Sequence, residues 1–483
     1  MDPLLTESAL SLARRIRSGG VSSRTVVDAH IRRIAETHAI LNAVVVDRFA
    51  EARAEADAAD RALTRGPTNQ LGLLHGVPIT VKDSVGMGGL PQTVGLVARK
   101  NVRATADATV VARLRAAGAI PLGLTNVPEL AMWMETYNKV YGRTNNPYDP
   151  TRIVGGSSGG EGAIIGAGGS PLGIGSDIGG SIRMPAFFNG VFGHKPSGGL
   201  VPNTGSWPQP EGAAKRYLTT GPLCRRAEDL WPALTLMAGP DGKDDACSTM
   251  ALGDPHAVSF ADLTVYDVPT SGLFRIDPEL IAAQRRVADH LASLGARVIP
   301  FTHNALRRAF QIWSALISDA AITKFSNLMG GGPHLPLLRS LYDFSRGASP
   351  HTFPALALVL VERLEQLLPG HEASISLAAT LKTDLALLLD DKSILLYPSY
   401  PDQSPRHDEP LRSPFKWQYA AIWNVLELPA TQIPLGLSAR GLPLGVQVVA
   451  GHGFDHLGIA TAIELERRFG GWVPPPATFA AKA

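Results

Sequence analysis

The chain opens with segments whose apolar residues recur every three or four positions. Over residues 8–18 and again over 23–36 this spacing predicts amphipathic helices, with Ser22 or Ser23 placed to cap the second. Residues 48–65 are rich in Ala, Glu, Asp and Arg, which predicts a helix whose charges lie in water rather than at a site. The period then changes. Residues 74–82 read as a strand that delivers Lys82 to the edge of a glycine turn, 109–117 as a helix, and 120–124 as a short strand. Alternation of this kind predicts a layered α/β sheet.

Helical spacing returns later. Phe310, Trp313, Ile317, Ala320 and Leu328 predict one long helix that stops at the three glycines of 330–332, and residues 354–368 predict another. Such a stripe ordinarily packs into the core, and the sharper alternative is one wall of a hydrophobic access channel. Between the two helices, residues 330–354 read as a long irregular segment, a candidate lid. The apolar run after Ser393 and residues 446–449 predict buried strands, and the proline-rich end beyond Val473 predicts surface or disorder.

The least ordinary pattern spans residues 154–181, VGGSSGGEGAIIGAGGSPLGIGSDIGGS. No charged side chain occurs between residues 163 and 175, so this part can be buried. Glycines surround Ser157 and Ser158, and Gly179 and Gly180 lead into Ser181. Glycine at this density lets backbone N–H groups converge on one point.

Composition narrows the function classes. With 45 Lys+Arg against 43 Asp+Glu, the formal net charge is +2, which gives no electrostatic footprint for nucleic acid or an anionic membrane. The expected partner is therefore a small, largely uncharged molecule. No run of eighteen apolar residues predicts a membrane span, and the acidic start MDPLLTESAL lacks the basic and apolar regions of a signal peptide. The two cysteines, Cys224 and Cys247, fit a reducing compartment, so a cytoplasmic enzyme is expected. Zinc-type spacing is missing, so no metal or cofactor is expected, and single histidines such as His194 read as structural.

Three glycine-loop chemistries fit parts of the 154–181 pattern. A phosphate loop needs Lys and Ser/Thr directly after its last glycine, but Glu161 stands there and opposes an anion. A nucleophile elbow, G-x-S-x-G, fits Gly156 to Gly160 but needs a buried strand just before it, against which Pro147 and Pro150 argue. The third arrangement adds Lys82, within GVPITVKDSVG.

Taken together, GVPITVKD, GGSSGGEGA and GSDIGGSIRMPAFFNGVFGHKP resemble the amidase signature family of serine hydrolases, and within it the fatty acid amide hydrolase group. The resemblance is strong over about residues 71–240 and again from about 395 to 469. It implies one large α/β domain with a mixed central sheet covered by helices on both faces. The expected division is an N-terminal helical region (1–70), a signature core (71–240), a variable, mostly helical region beside the substrate channel (241–390) and a C-terminal part of the core (391–483).

The same resemblance implies a catalytic Lys82–Ser157–Ser181 triad, with a cis peptide before Ser157. Ser181 attacks the carbonyl, and Lys82 takes its proton through the Ser157 hydroxyl. The N–H groups of Ile178, Gly179, Gly180 and Ser181 are the candidate oxyanion donors. Lys82 must be neutral to act as a base, and the apolar run before it offers the low-dielectric setting, provided that Asp83 turns away. Ser158, Asp177 and Arg183 are expected to support the loop, the last two as a charge pair. Met132, Trp133 and Met134 are candidates for the acyl pocket, with ordinary core as the equal alternative.

The implied reaction is cleavage of acyl amides or anilides of small, largely apolar substrates. Carbamates and esters are alternatives, since their carbonyls pass through equivalent tetrahedral intermediates. The glutaminase subunit of a tRNA-dependent amidotransferase is an alternative of another class, and a non-catalytic binding protein is a further one.

Overall fold

The computed structural model describes residues 1–64, 70–320, 323–330, 335–365 and 370–476. The first strands are β1 (Val44–Asp47), β2 (Pro78–Lys82) and β3 (Ile120–Thr125), and β4 (Tyr137–Asn138) and β5 (Gly142–Arg143) pair as a separate hairpin. Then come β6 (Leu172–Asp177), β7 (Phe192–Lys195), β8 (Thr219–Cys224), β9 (Thr264–Asp267) and β10 (Arg297–Pro300). The last three are β11 (Ser393–Tyr397), β12 (Ala430–Leu437) and β13 (Pro443–Ala450).

Among the described residues, eleven of these strands form one mixed sheet in the order β1-β3-β2-β6-β8-β7-β12-β13-β11-β9-β10. Helices flank it, so the fold is a single-domain α/β architecture, as expected. β2 lies between β3 and β6 and runs parallel to both. The carboxyl ends of these three strands therefore share one edge of the sheet, where open α/β sheets place ligand sites. Lys82 ends β2, Thr125 ends β3 and Asp177 ends β6.

Local sequence explains the early helices. Ser8 Oγ accepts the Ser11 N–H (2.9 Å) ahead of helix Ala9–Arg17, and Ser22 Oγ accepts the Thr25 N–H (3.0 Å) ahead of helix Ser23–Leu41. Ser22 is thus the cap, and Ser23 instead donates its hydroxyl to the Gly76 carbonyl at 2.8 Å. The small-residue segment forms helix Gly159–Gly166 and strand β6, every residue of both being buried.

Three expectations change. The stripe from Phe310 to Leu328 is two helices, Ala309–Ala320 and Phe325–Gly330, not one. Residues 330–354 are not uniformly irregular, because Leu337, Leu341 and Phe344 recur at helical spacing and carry helix Leu337–Ser345 onto a cluster with Met329, Leu356 and Val359. Residues 331–334 and the end of the 354–368 helix beyond Glu365 lie outside the described residues, as does the chain end beyond residue 476. Lastly, the region between 241 and 390 adds β9 and β10 to one end of the main sheet, parallel to each other.

Candidate active site

Side chains alternate along a strand, so Thr80 and Lys82 project from the same face of β2. Lys82 is 0% exposed, and its Nζ lies 2.7 Å from Ser157 Oγ, 3.0 Å from Ser176 Oγ and 3.3 Å from the Ser176 carbonyl. Burial pushes the Lys82 ammonium down from 10.5 to about 7, and the carboxylates of Asp177 and Glu161 oppose that shift. An amine in this state can hold or release a proton near neutrality.

Ser157 sits in the turn ahead of helix Gly159–Gly166, after a cis Gly156–Ser157 peptide. Glycine is required at 156 because an added Cβ would lie 2.2 Å from the Trp133 carbonyl oxygen. Ser158 links the two serine turns. Its N–H donates to the Ser181 carbonyl (3.1 Å), its Oγ accepts the Ser176 N–H (3.3 Å), and its hydroxyl lies 3.2 Å from the Ser176 carbonyl. The first of these bonds brings the Ser181 backbone beside the Ser157–Ser158 turn. Ser181 is 8% exposed, and its Oγ has no hydrogen-bond partner among the described residues. The structure thus joins Lys82 and Ser157 side chain to side chain, and Ser181 reaches them through backbone.

Asp177 and Arg183 form the expected pair, both 0% exposed, with Oδ1 to Nη2 and Oδ2 to Nε each at 3.0 Å. Although burial favours the neutral acid, the Arg183 guanidinium and the Ile182 N–H hold the Asp177 carboxyl well below the usual carboxylate range. Arg183 also donates to the Ala420 carbonyl (2.7 Å), Asn424 Oδ1 (2.7 Å) and Gln447 Oε1 (2.9 Å). Asp177 Oδ1 accepts the Gly180 N–H at 2.7 Å.

That last bond corrects one expectation, because the Gly180 N–H is committed to Asp177 rather than held open for an oxyanion. The N–H groups of Ile178, Gly179 and Ser181 have no acceptor among the described residues. Gly180 has φ +105°, and a Cβ there would meet Ala420 Cβ at 2.5 Å, so only glycine makes this turn.

Asp83 does turn away from Lys82, but into protein rather than solvent. Its carboxyl accepts the Thr93 N–H (3.2 Å) and hydroxyl (2.6 Å), and burial raises it to about 6. Met132, Trp133 and Met134 divide between two clusters, Trp133 and Met134 on the main core and Met132 on the smaller one. Met134 belongs to the main core, with its sulfur 3.9 Å from the Tyr400 hydroxyl, Met132 packs beside Leu130 and Met329, and Trp133 stays half-buried. His194 is held by Thr431 (2.9 Å) and Asp455 (3.1 Å), a structural placement.

Sequence reasoning missed Ser176, which shares the Lys82 amine with Ser157. It also missed the setting of Glu161, whose carboxyl accepts hydroxyls from Thr80 (2.6 Å) and Thr125 (2.9 Å) and is raised by burial to about 8. An acid inside a glycine-rich run was the available signal, and it served only to exclude a phosphate loop.

Residues 25–457 match the Amidase family, and the chain belongs to it. The protein is accordingly a hydrolase that acts on amides. Within the family it is 45% identical to fatty-acid amide hydrolase 2-A of Danio rerio over 494 residues, covering 99% of this chain and 91% of that one. It is 44% identical to fatty-acid amide hydrolase 2 of Homo sapiens over 491 residues, covering 98% and 91% respectively. Among solved structures, 6-aminohexanoate cyclic dimer hydrolase complexed with substrate superposes with a TM-score of 0.79 at 26% identity, covering 99% of this chain and 100% of that one. Among the described residues, no helix is long and apolar enough to cross a membrane.

Proposed function

We propose that the protein cleaves the C–N bond of fatty acyl amides through an acyl-enzyme on Ser181. The Ser181 hydroxyl attacks the carbonyl carbon, its proton passes to Ser157, and the Ser157 proton passes to Lys82. The N–H groups of Ile178, Gly179 and Ser181 receive the negative charge that develops on oxygen. As the tetrahedral species collapses, the C–N bond breaks, Ser157 gives a proton to the departing amine, and Lys82 restores the proton to Ser157. Water then repeats the attack on the ester and releases the acid.

One observation carries this reading: a fully buried lysine whose amine lies 2.7 Å from a serine hydroxyl. A lysine kept for a surface ion pair would not be placed there. The acyl class is supported by the similarity to the fatty-acid amide hydrolases and by aromatic side chains, Trp313 and Trp417, beside the Ser181 turn.

The test is a panel of long-chain primary amides, acyl anilides, dipeptide amides and aryl carbamates with the purified chain alone. Long-chain amides are expected to give the highest kcat/KM, with an acid limb near pH 7, and Ser181→Ala is expected to lose turnover and fluorophosphonate labelling together. Turnover by Ser181→Ala, or activity only with glutamine and a partner subunit, contradicts the proposal.

A further inference from the structure

Outside the three signature motifs, one side chain from the region between residues 241 and 390 reaches the serine turn. Trp313, on helix Ala309–Ala320, donates its indole Nε1–H to the Ile178 carbonyl at 2.8 Å. The Ile178–Gly179 peptide is trans, so its C=O and N–H point in opposite directions. Holding the carbonyl on Trp313 therefore fixes where the Gly179 N–H points, and that N–H has no acceptor among the described residues. A peptide that accepts a hydrogen bond at oxygen is also polarised toward stronger donation at nitrogen.

The indole is itself held in place. Trp313 packs edge-on against Trp417 with ring centroids 4.7 Å apart and planes at 84°. One helical turn earlier, Phe310 packs on Phe415 at 4.7 Å, and its N–H donates to Gln418 Oε1 at 3.1 Å. Both indoles converge on Gly179, where a Cβ would lie 3.2 Å from Trp417 Cζ3 and 3.8 Å from Trp313 Cζ2. A rigid donor aimed at one carbonyl of a turn whose neighbouring N–H groups are free is the arrangement a preorganised oxyanion site needs.

We propose that Trp313 is a positioning residue for acyl transfer, its indole N–H orienting the Ile178–Gly179 peptide so that the Gly179 N–H meets the developing oxyanion. This rests on Ser181 as the nucleophile. It makes a helix outside the signature motifs a determinant of kcat, while Trp417, which offers only its ring to Gly179, bears on substrate contact.

Trp313→Phe keeps an aromatic ring against Trp417 and removes the donor. The expected result is a fall in kcat of about tenfold or more, below the roughly 10² to 10³ for outright loss of an oxyanion donor. The acid limb of the pH profile is expected to stay in place, because Lys82 is untouched, and the loss is expected to fall on kcat more than on KM. Trp417→Phe leaves the Trp313 indole N–H intact and keeps a ring against it, so it is expected to change KM and to lower kcat less than the donor-free variants do. Substituting benzothienylalanine for Trp313 preserves ring size without an N–H and gives the same readout if the phenylalanine variant does not fold.

Equal kcat in wild type and in either donor-free variant overturns the proposal, as does a matched fall in kcat for Trp417→Phe. The rate of fluorophosphonate labelling separates the two levels. An unlabelled Ser181 in the wild type defeats the serine assignment itself, whereas equal labelling of wild type and donor-free protein defeats only the role of Trp313.

Discussion

Replacing Lys82 with methionine should abolish turnover and, at pH 7, make the protein more stable. In the fold burial lowers this amine from 10.5 to about 7, whereas in the unfolded chain it titrates at about 10.4. Between those values the unfolded chain holds a proton that the folded chain has given up, so wild-type stability rises with pH across that window. By this linkage the lowered amine costs about 4 kcal/mol at pH 7 and about 2 kcal/mol at pH 9. Methionine, unbranched and apolar, fills similar space but forfeits the hydrogen bonds to Ser157 and Ser176, about 1 kcal/mol each. The variant should therefore lead by about 2 kcal/mol at pH 7 and lose that lead by pH 9. Urea unfolding followed by tryptophan fluorescence at pH 7, 8 and 9 reads the difference. A gap that stays constant, or grows with pH, would mean that Lys82 keeps its proton in the folded state, and the base assigned to Ser157 would fall with it.

Two further substitutions probe the charges around that amine. Glu161 opposes the lowering of Lys82 only when ionised, and burial raises it to about 8, so Glu161→Gln should leave the acid limb of kcat/KM near pH 7 in place; a limb displaced to lower pH by a unit or more would show that Glu161 is a carboxylate there. Asp177→Asn leaves the fully buried Arg183 without its carboxylate and should destabilise the fold by about 3 to 5 kcal/mol, measured by urea unfolding. A loss under about 1 kcal/mol would show that Ala420, Asn424 and Gln447 satisfy the guanidinium unaided.

What could be read in the sequence follows the range of the interactions involved. Lys82, Ser157 and Ser181 were named because each lies in a short contiguous motif, GVPITVKD, GGSSGGEGA or GSDIGGS, whose resemblance to the amidase signature family carries its role. The Asp177–Arg183 pair was legible locally, its members being six residues apart on one turn. Ser176 was not, because a serine in a strand is ordinary until parallel pairing brings β6 beside β2. Asn424 and Gln447 reach Arg183 from more than 200 residues away, and no local pattern announces such contacts. Trp313 was visible as part of an apolar stripe, but spacing says only which face a residue occupies, not whether its N–H finds a carbonyl. β9 and β10 escaped notice because four-residue strands at the end of a sheet carry too little alternation to outweigh the helical pattern around them.

The reach of the glycine-rich run becomes clear when Glu161 is considered with Lys82. On one face of β2, Thr80 holds the Glu161 carboxyl and Lys82 holds Ser157, while Ser157 and Glu161 stand four residues apart at the start of one helix. Two rungs thus tie the strand to the helix and to the turn that precedes it. The site for that carboxyl exists because residue 173 is glycine: a Cβ there would lie 1.9 Å from Glu161 Oε2. A buried Lys–Glu ion pair would carry a desolvation penalty of several kcal/mol per ion. With burial lowering the lysine to about 7 and raising the acid to about 8, both neutral forms are within reach near pH 7. The small residues therefore do more than let backbone approach Ser181. They bury an acid and an amine together without forcing them to ionise, and a neutral amine is the state in which Lys82 can take a proton from Ser157.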